Sequence, residues 1–447
     1  MKTVLFIVNE FPPSGGGGII RPLKFVKYLQ EFQWKPIIIS RDYSENLYLK
    51  DNKLLNEIPA IVKVYRVSSL EPDSLKKSLK TKLSNAYNNQ YTVTLSKKII
   101  ITKLFSILKA SKDFFYEKIL IPDEHILWVV NAVKKAKKIL KSEKIDVIFT
   151  TSPPPSTHLV GFLLKRSFPQ TKWIVDFRDL WTIEDTYHQQ KPFLIRKINE
   201  YLEHKILEKC DKSIFATSGF QDAYMKKYIN IVPDKSSCIT NGYDPDDFKN
   251  TPTGVSSEKF QITYTGSLLK KQSENSFFDG LKLFVDDQIN LRKDKFQANF
   301  VGKFEEYYLQ KIDKLLLRDY VNVIDYVTHT DAVKFMTQAN VLILFLSNDR
   351  MCKMIWPGKI FEYLAAQKPI LALVPEGMVS RFIRTHNLGI VVNPDDSEGI
   401  KEGISIFYER YKKNKLSIRV PEELLQNFDR RELTRKLANE FNSQIKN

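Results

Sequence analysis

The sequence predicts an α/β protein with two Rossmann-like domains, and three observations lead to this prediction. Short apolar runs alternate with amphipathic helical stretches along nearly the whole chain, which is the pattern of parallel sheets covered by helices. The 447 residues exceed what one core usually serves, since single cores stop growing near roughly 250 to 300 residues. Residues 241–258, rich in Asn, Gly, Pro, Asp and Ser, interrupt the alternation.

The predicted strands form two sets, one on each side of this interruption. The first set is 3–8, 36–40, 62–67, 145–150, 172–177 and 213–216, and the second is 261–265, 298–301, 321–327, 341–346, 369–374 and 389–392. We therefore expect a first domain over 1–240, a linker over 241–258 and a second domain over 259–429. The last segment, 430–447, has helical spacing at Leu433, Leu437 and Phe441, and we expect it to pack at the domain junction.

The composition excludes several other classes of protein. With 43% hydrophobic and 12% aromatic residues, the chain is neither disordered nor fibrous. Cys210, Cys238 and Cys352 are too few and too scattered for a disulfide framework or a thiolate metal site, so we expect a reducing, cytoplasmic compartment. The apolar start of the chain is too short for a signal peptide, and no run reaches the roughly 18 apolar residues of a membrane span.

The formal net charge of +17 indicates an anionic partner. Nucleic acid, acidic lipid head groups and phosphorylated substrates all fit this charge, and a merely basic surface is a further reading. Residues 70–120 carry many lysines among Leu, Ile, Phe and Tyr. This basic insertion is either an amphipathic hairpin for an anionic membrane surface or a solvated helical insertion.

Glycines and charges stand where strands of the first set end, and open parallel sheets bind ligands at that edge. Residues 11–18, Phe-Pro-Pro-Ser-Gly-Gly-Gly-Gly, lead into a helix, so backbone N–H groups can approach a diphosphate or a sugar hydroxyl. Residues 176–181, Asp-Phe-Arg-Asp-Leu-Trp, hold charges that must pair with one another or meet a ligand. His158, in the first turn of a predicted helix, is a substrate contact or a structural residue.

The second set of strands has two comparable clusters. Residues 264–271, Tyr-Thr-Gly-Ser-Leu-Leu-Lys-Lys, combine a glycine with two cations suited to a pyrophosphate. Residues 356–366 place Pro-Gly-Lys at a predicted helix start, one turn before Glu362. Helix N–H groups and Lys359 could hold phosphate oxygens, and Glu362 could accept hydrogen bonds from a ribose diol. The same cluster would also serve as a helix cap without any ligand.

Together these motifs resemble glycosyltransferase family four, whose members are retaining GT-B enzymes and include many bacterial polysaccharide transferases. The resemblance rests on residues 11–21, 176–181, 240–248, 264–267 and 357–372, which occur in the family's order over nearly the whole chain. It implies the GT-B fold, in which two Rossmann-like domains with parallel sheets face each other across a cleft. The first domain would hold the acceptor and the second the nucleotide sugar.

The resemblance also implies functional residues and partners. The expected donor contacts are Gly16, Gly17, Gly266, Ser267, Val327, Gly358 and Glu362. The expected catalytic residues are His158, Arg178, Asp179, Lys270, Lys271 and Lys359, of which the lysines would stabilise charge on the departing phosphate. The donor would be a UDP- or GDP-linked sugar and the acceptor a glycan or lipid-linked sugar, without metal or cofactor. The protein would work in the cytoplasm or peripherally at the inner face of the cell membrane, in polysaccharide or glycolipid biosynthesis.

Two positions depart from the family pattern. The acid that commonly stands eight positions before the ribose-binding one is Met354 here, so we expect sugar recognition to differ, with Asp349, Arg350 or backbone groups taking part. Near the family's usual histidine the sequence has Thr151 and Ser152, and His158 comes a turn later.

Three rival hypotheses remain from the sequence. A nucleotide-sugar epimerase or a nicotinamide oxidoreductase could use a similar fold, although the oxidoreductase would need a G-x-G-x-x-G motif and an acid about 20 residues later. Neither follows the first predicted strand. A glycosyltransferase-like partner without activity is the second rival. The third, a nucleic-acid binder, lacks any recognised binding motif.

Overall fold

The computed structural model of the chain describes residues 1–42, 49–69, 120–183, 186–249, 251, 259–268, 275–288 and 294–445. Nearly all of the basic insertion over 70–120 lies outside the described residues, and so do Lys270 and Lys271.

The first part of the chain forms a seven-stranded parallel sheet in which the strand order reverses at β1. Its strands are β1 (Lys2–Val8), β2 (Trp34–Arg41), β3 (Lys63–Val67), β4 (Val147–Ser152), β5 (Lys172–Phe177), β6 (Lys212–Phe215) and β7 (Ser236–Cys238). The spatial order is β3-β2-β1-β4-β5-β6-β7. The chain runs from β1 to β2 and β3 on one side and then crosses to β4 on the other side of β1. A crevice therefore forms at the carboxyl ends of β1 and β4, where such sheets bind ligands.

Helices cover both faces of this sheet. They are α1 (Gly17–Tyr28), α2 (Ile126–Ser142), α3 (Ser156–Ser167), α4 (Thr186–Gln189), α5 (Phe193–Lys209) and α6 (Ser218–Lys227). The side chains of β1 show the two layers, because Leu5 and Ile7 share a core with α2 and α3. Val4 and Phe6 point to the other face and share a core with α1.

The second part repeats this architecture in a smaller sheet. Its strands are β8 (Phe260–Thr265), β9 (Phe296–Val301), β10 (Val321–Ile324), β11 (Val341–Phe345), β12 (Ile370–Leu373) and β13 (Gly389–Val392), in the spatial order β10-β9-β8-β11-β12-β13. The flanking helices are α7 (Asn275–Asp287), α8 (Glu306–Lys314), α9 (His329–Gln338), α10 (Gly358–Ala365), α11 (Met378–Thr385), α12 (Ser397–Lys412) and α13 (Glu422–Gln426).

The last helix, α14 (Arg430–Ile445), returns to the first sheet. Leu433, Leu437 and Phe441 are buried in the core that α1 covers. The Phe441 ring lies 5.1 Å from that of Trp34 and 5.6 Å from that of Phe149, centroid to centroid. The helical spacing of the three apolar residues thus places the end of the chain on the first sheet.

The predicted fold class, two parallel sheets covered by helices, is confirmed. Every predicted strand has a counterpart, but the strand predicted over 321–327 ends at Ile324. Strand β7 was not predicted, because its sequence, Ser-Ser-Cys, is short and polar. Among the described residues, no helix combines the length and the apolar character needed to cross a bilayer.

A fully buried lysine ammonium ties α1 to the segment between the sheets. Lys24 Nζ lies 2.6 Å from a carboxylate oxygen of Glu57, 2.8 Å from one of Asp244 and 2.8 Å from one of Asp247. Burial alone would raise the pKa of Asp244, but Lys24 and Lys27 lower it to about 2. The three carboxylate groups lie close enough together to suit a cation, and the lysine ammonium occupies that position.

We expect Lys24→Met to destabilise the protein, because it removes the one ammonium within 2.8 Å of all three described carboxylates, those of Glu57, Asp244 and Asp247. Removing one partner of a buried ionic cluster costs about 3–5 kcal/mol, which urea unfolding would measure. The matched control is Lys249→Met, since Lys249 is 67% exposed in its pair with Asp246 and such a pair contributes about 1 kcal/mol or less. Equal stability of the two variants would contradict the structural role of Lys24.

Candidate active site

A cavity of about 470 Å³ lies between the two sheets and takes its lining from both. The first part of the chain contributes the glycine loop over 16–18, the end of β5, and residues 49–54. The second part contributes the end of β8, the loop after β10, and the start of α10. These are carboxyl ends of strands and amino ends of helices, so backbone N–H groups and side chains meet around one space.

The glycine loop gives the first side of the cavity an open backbone. Gly16, which precedes α1, has φ of +102°. Residues with a side chain rarely adopt this backbone conformation. A Cβ on Gly17 would meet no atom within 4 Å. The predicted contacts Gly16 and Gly17 therefore lie on the cavity wall with space for a ligand in front of them.

Two arginines from the predicted motifs shape this wall. Arg21 is buried and donates to both carboxylate oxygens of Asp176, at 2.7 and 3.1 Å, and to the carbonyl of Thr240 at 2.7 Å. Arg178 donates to the carbonyls of Ser152 (2.7 Å), Pro153 (3.0 Å) and Gly18. Arg178 thus fixes the glycine loop against the ends of β4 and β5. Asp179, next to it, is exposed and also lines the cavity.

His158 does not lie with the other predicted residues. Its ring is completely buried in α3, does not line the cavity, and packs against Phe177 at a centroid distance of 4.6 Å. Its Nδ1 lies 2.9 Å from Thr150 Oγ1, which also accepts a hydrogen bond from Trp173. Burial lowers the pKa of His158 to about 3. In this position His158 is a neutral core residue, so the catalytic contact predicted for it gains no support.

The second side of the cavity presents a glycine beside a lysine. Gly266 has φ of +139°, and a Cβ there would lie 2.5 Å from Lys359 Cε and 2.6 Å from its Nζ. The positive φ favours glycine at the end of β8, and the absence of a side chain there lets Lys359 lie close to the backbone. Lys359 Nζ also lies 5.0 Å from the ring centroid of Tyr264. Ser267, Val327 and Gly358, the other predicted donor contacts, line the same cavity.

Glu362 is part of an ion chain that the sequence did not predict. Its Oε1 lies 2.9 Å from Nε2 of His329, and Nδ1 of His329 lies 3.7 Å from Asp247, which contacts Lys24. Burial alone would lower the pKa of His329, but Glu362 and Asp247 raise it to about 9. Of the two carboxylate oxygens of Glu362, Oε1 is hydrogen-bonded to His329. Oε2 has no side-chain partner among the described residues and is available to a ligand.

Met354, at the position of the family's usual first acid, bridges the two halves of the molecule. Its carbonyl accepts a hydrogen bond from Thr217 at 3.0 Å, and a Cβ on Gly219 would lie 2.9 Å from its own Cβ. Asp349 and Arg350, the residues expected to replace this acid, do not line the cavity. Asp349 is exposed and accepts a hydrogen bond from Ser347 at 2.7 Å. Arg350 borders a separate groove that α6 and α11 also line.

Sequence reasoning missed three charged residues of the cavity. Asp51 accepts a hydrogen bond from the backbone N–H of His329 at 3.1 Å, which links the two halves. His329 could have been found, because it follows a predicted strand. Arg430 could not have been found, because it is the first residue of the C-terminal helix and does not belong to any of the recognised motifs. It reaches the cavity because α14 returns to the first sheet.

Two family models match the chain. Residues 247–419 match "Glycosyl transferases group 1", and residues 111–247 match "Glycosyltransferase Family 4". The matches meet at residue 247 and together cover most of the chain. A search of curated proteins found no significant match.

Solved structures share the fold over the full length at low sequence identity. Sucrose-phosphate synthase from Thermosynechococcus elongatus has a TM-score of 0.65 at 13% identity, covering 100% of both chains. HepE from Anabaena, in complex with UDP-glucose, has a TM-score of 0.64 at 13% identity, covering 99% of this chain and 100% of that one. A UDP-N-acetylglucosamine 2-epimerase from Listeria monocytogenes has a TM-score of 0.55 at 9% identity, covering 100% and 97%.

These findings define the class. The fold is GT-B, with two parallel-sheet units and a cavity between them. The family matches over 111–247 and 247–419 support a glycosyltransferase similar to family four.

The ion pair of His329 and Glu362 predicts a specific pH dependence. A histidine with a raised pKa in the folded state stabilises the protein fully below its unfolded value of about 6.5. That contribution is lost as the pH rises through about 9. The stability difference between wild type and His329→Gln should therefore be largest near pH 6 and shrink toward pH 9.5, measured by urea unfolding. Glu362→Gln should flatten the wild-type profile, and a difference that stays constant with pH would contradict the pairing.

Proposed function

We propose that this protein transfers a sugar, with retention of anomeric configuration, from a UDP- or GDP-linked donor to a glycan or lipid-linked acceptor. The observation that supports this most is the grouping of a carboxylate, a lysine and a strand-end glycine on one side of the cavity. These are Glu362, Lys359 and Gly266, opposite the glycine loop. A nucleoside diphosphate offers a partner to each of them: its ribose diol to Glu362, its phosphate charge to Lys359, and its phosphate oxygens to the open backbone at Gly266.

The nucleoside end of the donor would bind at Glu362. A carboxylate accepts hydrogen bonds from two neighbouring hydroxyls, and charge-assisted bonds of this kind are the stronger ones. Because burial alone would raise the pKa of Glu362 but His329 lowers it, the group stays ionised as an acceptor. His329 in turn holds the carboxylate in one orientation. We assign His329 as the residue that positions the ribose-binding acid.

The diphosphate would bind between Gly266 and the start of α10. Gly358 is exposed there, and a Cβ on it would meet no atom within 4 Å, so the first N–H groups of the helix are accessible. An anion at a helix N-terminus is stabilised by these groups and by the helix dipole. Lys359 would add a full positive charge as the phosphate departs. Lys270 and Lys271 remain predictions for the same role.

The reaction would follow a front-face path in which the departing phosphate helps to deprotonate the acceptor, so that the protein supplies no nucleophile. The glycine loop would approach the transferred sugar, and Arg178 would keep that loop in place. With Met354 directed to the junction of the two halves, Asp179 at the cavity wall is our candidate for a sugar hydroxyl contact. The acceptor would enter from the side of the first sheet.

Three finer assignments belong to the same proposal. A UDP-linked donor is supported by the UDP-glucose bound to the similar HepE protein. Transfer without a metal ion is part of the same proposal; the carboxylate cluster found among the described residues holds the ammonium of Lys24. Attachment to an anionic membrane surface rests on the composition of residues 70–120 alone.

Glu362→Gln tests the ribose assignment. The change keeps the size of the side chain but removes its charge, and hydrogen bonds to charged groups contribute about 1.5–3 kcal/mol. We expect roughly 10- to 100-fold weaker binding of UDP or GDP by calorimetry, with unchanged circular dichroism. The control Glu376→Gln, an exposed carboxylate paired with Arg384, should bind like wild type. Unchanged nucleotide affinity in Glu362→Gln would exclude the assignment.

Lys359→Ala tests the role in phosphate departure. Its charge is needed most in the transition state, so we expect kcat to fall about 10²- to 10³-fold with a smaller change in KM for the acceptor. The assay is release of nucleoside diphosphate together with analysis of the sugar product, which also separates transfer from epimerisation. Lys353→Ala, an exposed residue of the separate groove, is the control. Turnover at the wild-type rate in Lys359→Ala would remove this lysine from the mechanism.

A further inference from the structure

Arg430 is a buried arginine at the cavity that forms no direct ion pair with another described residue. Its side chain is 3% exposed and belongs to the cavity lining. Nε and Nη1 are both buried and have no hydrogen-bond partner among the described residues. An arginine carries five N–H donors and stays charged, so its burial without partners is unfavourable unless a ligand supplies the acceptors.

The surrounding carboxylates favour the charge on Arg430 only from a distance. Burial and the neighbouring Arg21 lower its pKa to about 9, and the carboxylates of Glu362, Asp244 and Asp247 oppose that shift. Their direct partners are other residues: Glu362 pairs with His329, and the two aspartates contact Lys24. Among the described residues, the guanidinium therefore has no direct ion-pair partner at the cavity wall.

The backbone holds this arginine in a fixed position. The N–H of Arg430 donates to the carbonyl of Tyr243 at 2.9 Å, and the N–H of Tyr243 donates to the carbonyl of Phe428 at 3.0 Å. The carbonyl of Arg430 accepts from Thr434 Oγ1 at 2.7 Å. The apolar face of α14 is in turn packed into the core of the first sheet. The guanidinium thus projects from a fixed backbone where the second-sheet core around Tyr243 and Phe428 meets the helix packed on the first sheet.

We propose that Arg430 binds an oxyanion, a phosphate or a carboxylate, carried by the acceptor. An arginine is suited to either group, because its N–H donors match pairs of oxygen atoms. The donor diphosphate already has Lys359 and the start of α10, whereas α14 packs on the first sheet, which we propose to hold the acceptor. This inference rests on the proposed function, since it extends the acceptor part of the same cavity.

The experiment titrates inorganic phosphate, and separately acetate, into the full chain with UDP or GDP present at saturation. The nucleotide fills the donor phosphate site, so the remaining phosphate binding reports the second site. We expect Arg430→Gln to bind the preferred anion at least tenfold more weakly than wild type, and Arg430→Lys to retain part of the affinity. Affinity for the nucleotide itself should stay within twofold. The preference between phosphate and acetate identifies the acceptor group.

The matched control is Arg435→Gln, on the same helix but exposed and paired with Glu432 at 2.7 Å. It should bind phosphate like wild type. Without ligand, Arg430→Gln should melt at the same temperature as wild type or higher, because buried donors without hydrogen-bond partners among the described residues are removed. A structural arginine would instead give a lower melting temperature.

Three results would overturn the proposal: no phosphate or acetate binding by wild type beyond that of chloride, equal binding by wild type and Arg430→Gln, or a melting temperature several degrees lower in Arg430→Gln. A tenfold loss of nucleotide affinity in Arg430→Gln would place the residue in the donor site and overturn it as well. Failure of wild type to bind any nucleotide would count against the proposed function. In that case the anion titration without nucleotide still tests Arg430.

Discussion

The buried ammonium of Lys24 is the constraint on which the cavity depends. An isolated buried charge is costly, and here three carboxylates surround it, one from residues 49–57 and two from the segment between the sheets. Asp247 of this cluster also pairs with His329, and His329 pairs with Glu362. The ion cluster that holds α1 against the segment between the sheets is therefore continuous with His329, which lowers the pKa of the proposed ribose-binding acid, Glu362.

A second constraint is the return of α14 to the first sheet. Three buried apolar residues anchor this helix, and its first residue, Arg430, consequently lies at the cavity rather than on a free end. The cavity then has two unequal sides. From the second part of the chain, Glu362, Lys359 and Gly266 suit a nucleoside diphosphate, and from the first part a glycine loop faces the space, with Arg430 between the two parts. This asymmetry suits a reaction that joins a charged donor to a separate acceptor.

The sequence predicted the fold more fully than the site. Strands of parallel sheets are buried on both faces, so they appear as apolar runs, and of the strands in the described part of the chain only the polar Ser236–Cys238 was not predicted. Glycine-rich strand ends and the start of α10 were predictable, because local backbone geometry determines them. The partners of Glu362 were not, since Lys24, Asp247 and His329 are far apart in sequence and meet only through folding. His158 illustrates the converse, because a motif position does not reveal that α3 encloses the side chain.

A crystal structure of the protein with UDP-glucose or GDP-mannose tests the central claim most directly. The account predicts that ribose hydroxyls donate to Glu362, that the diphosphate lies between Gly266 and Lys359, and that His329 still bridges Glu362 and Asp247. A nucleotide bound elsewhere, or bound in this cavity without a contact to Glu362, would contradict it.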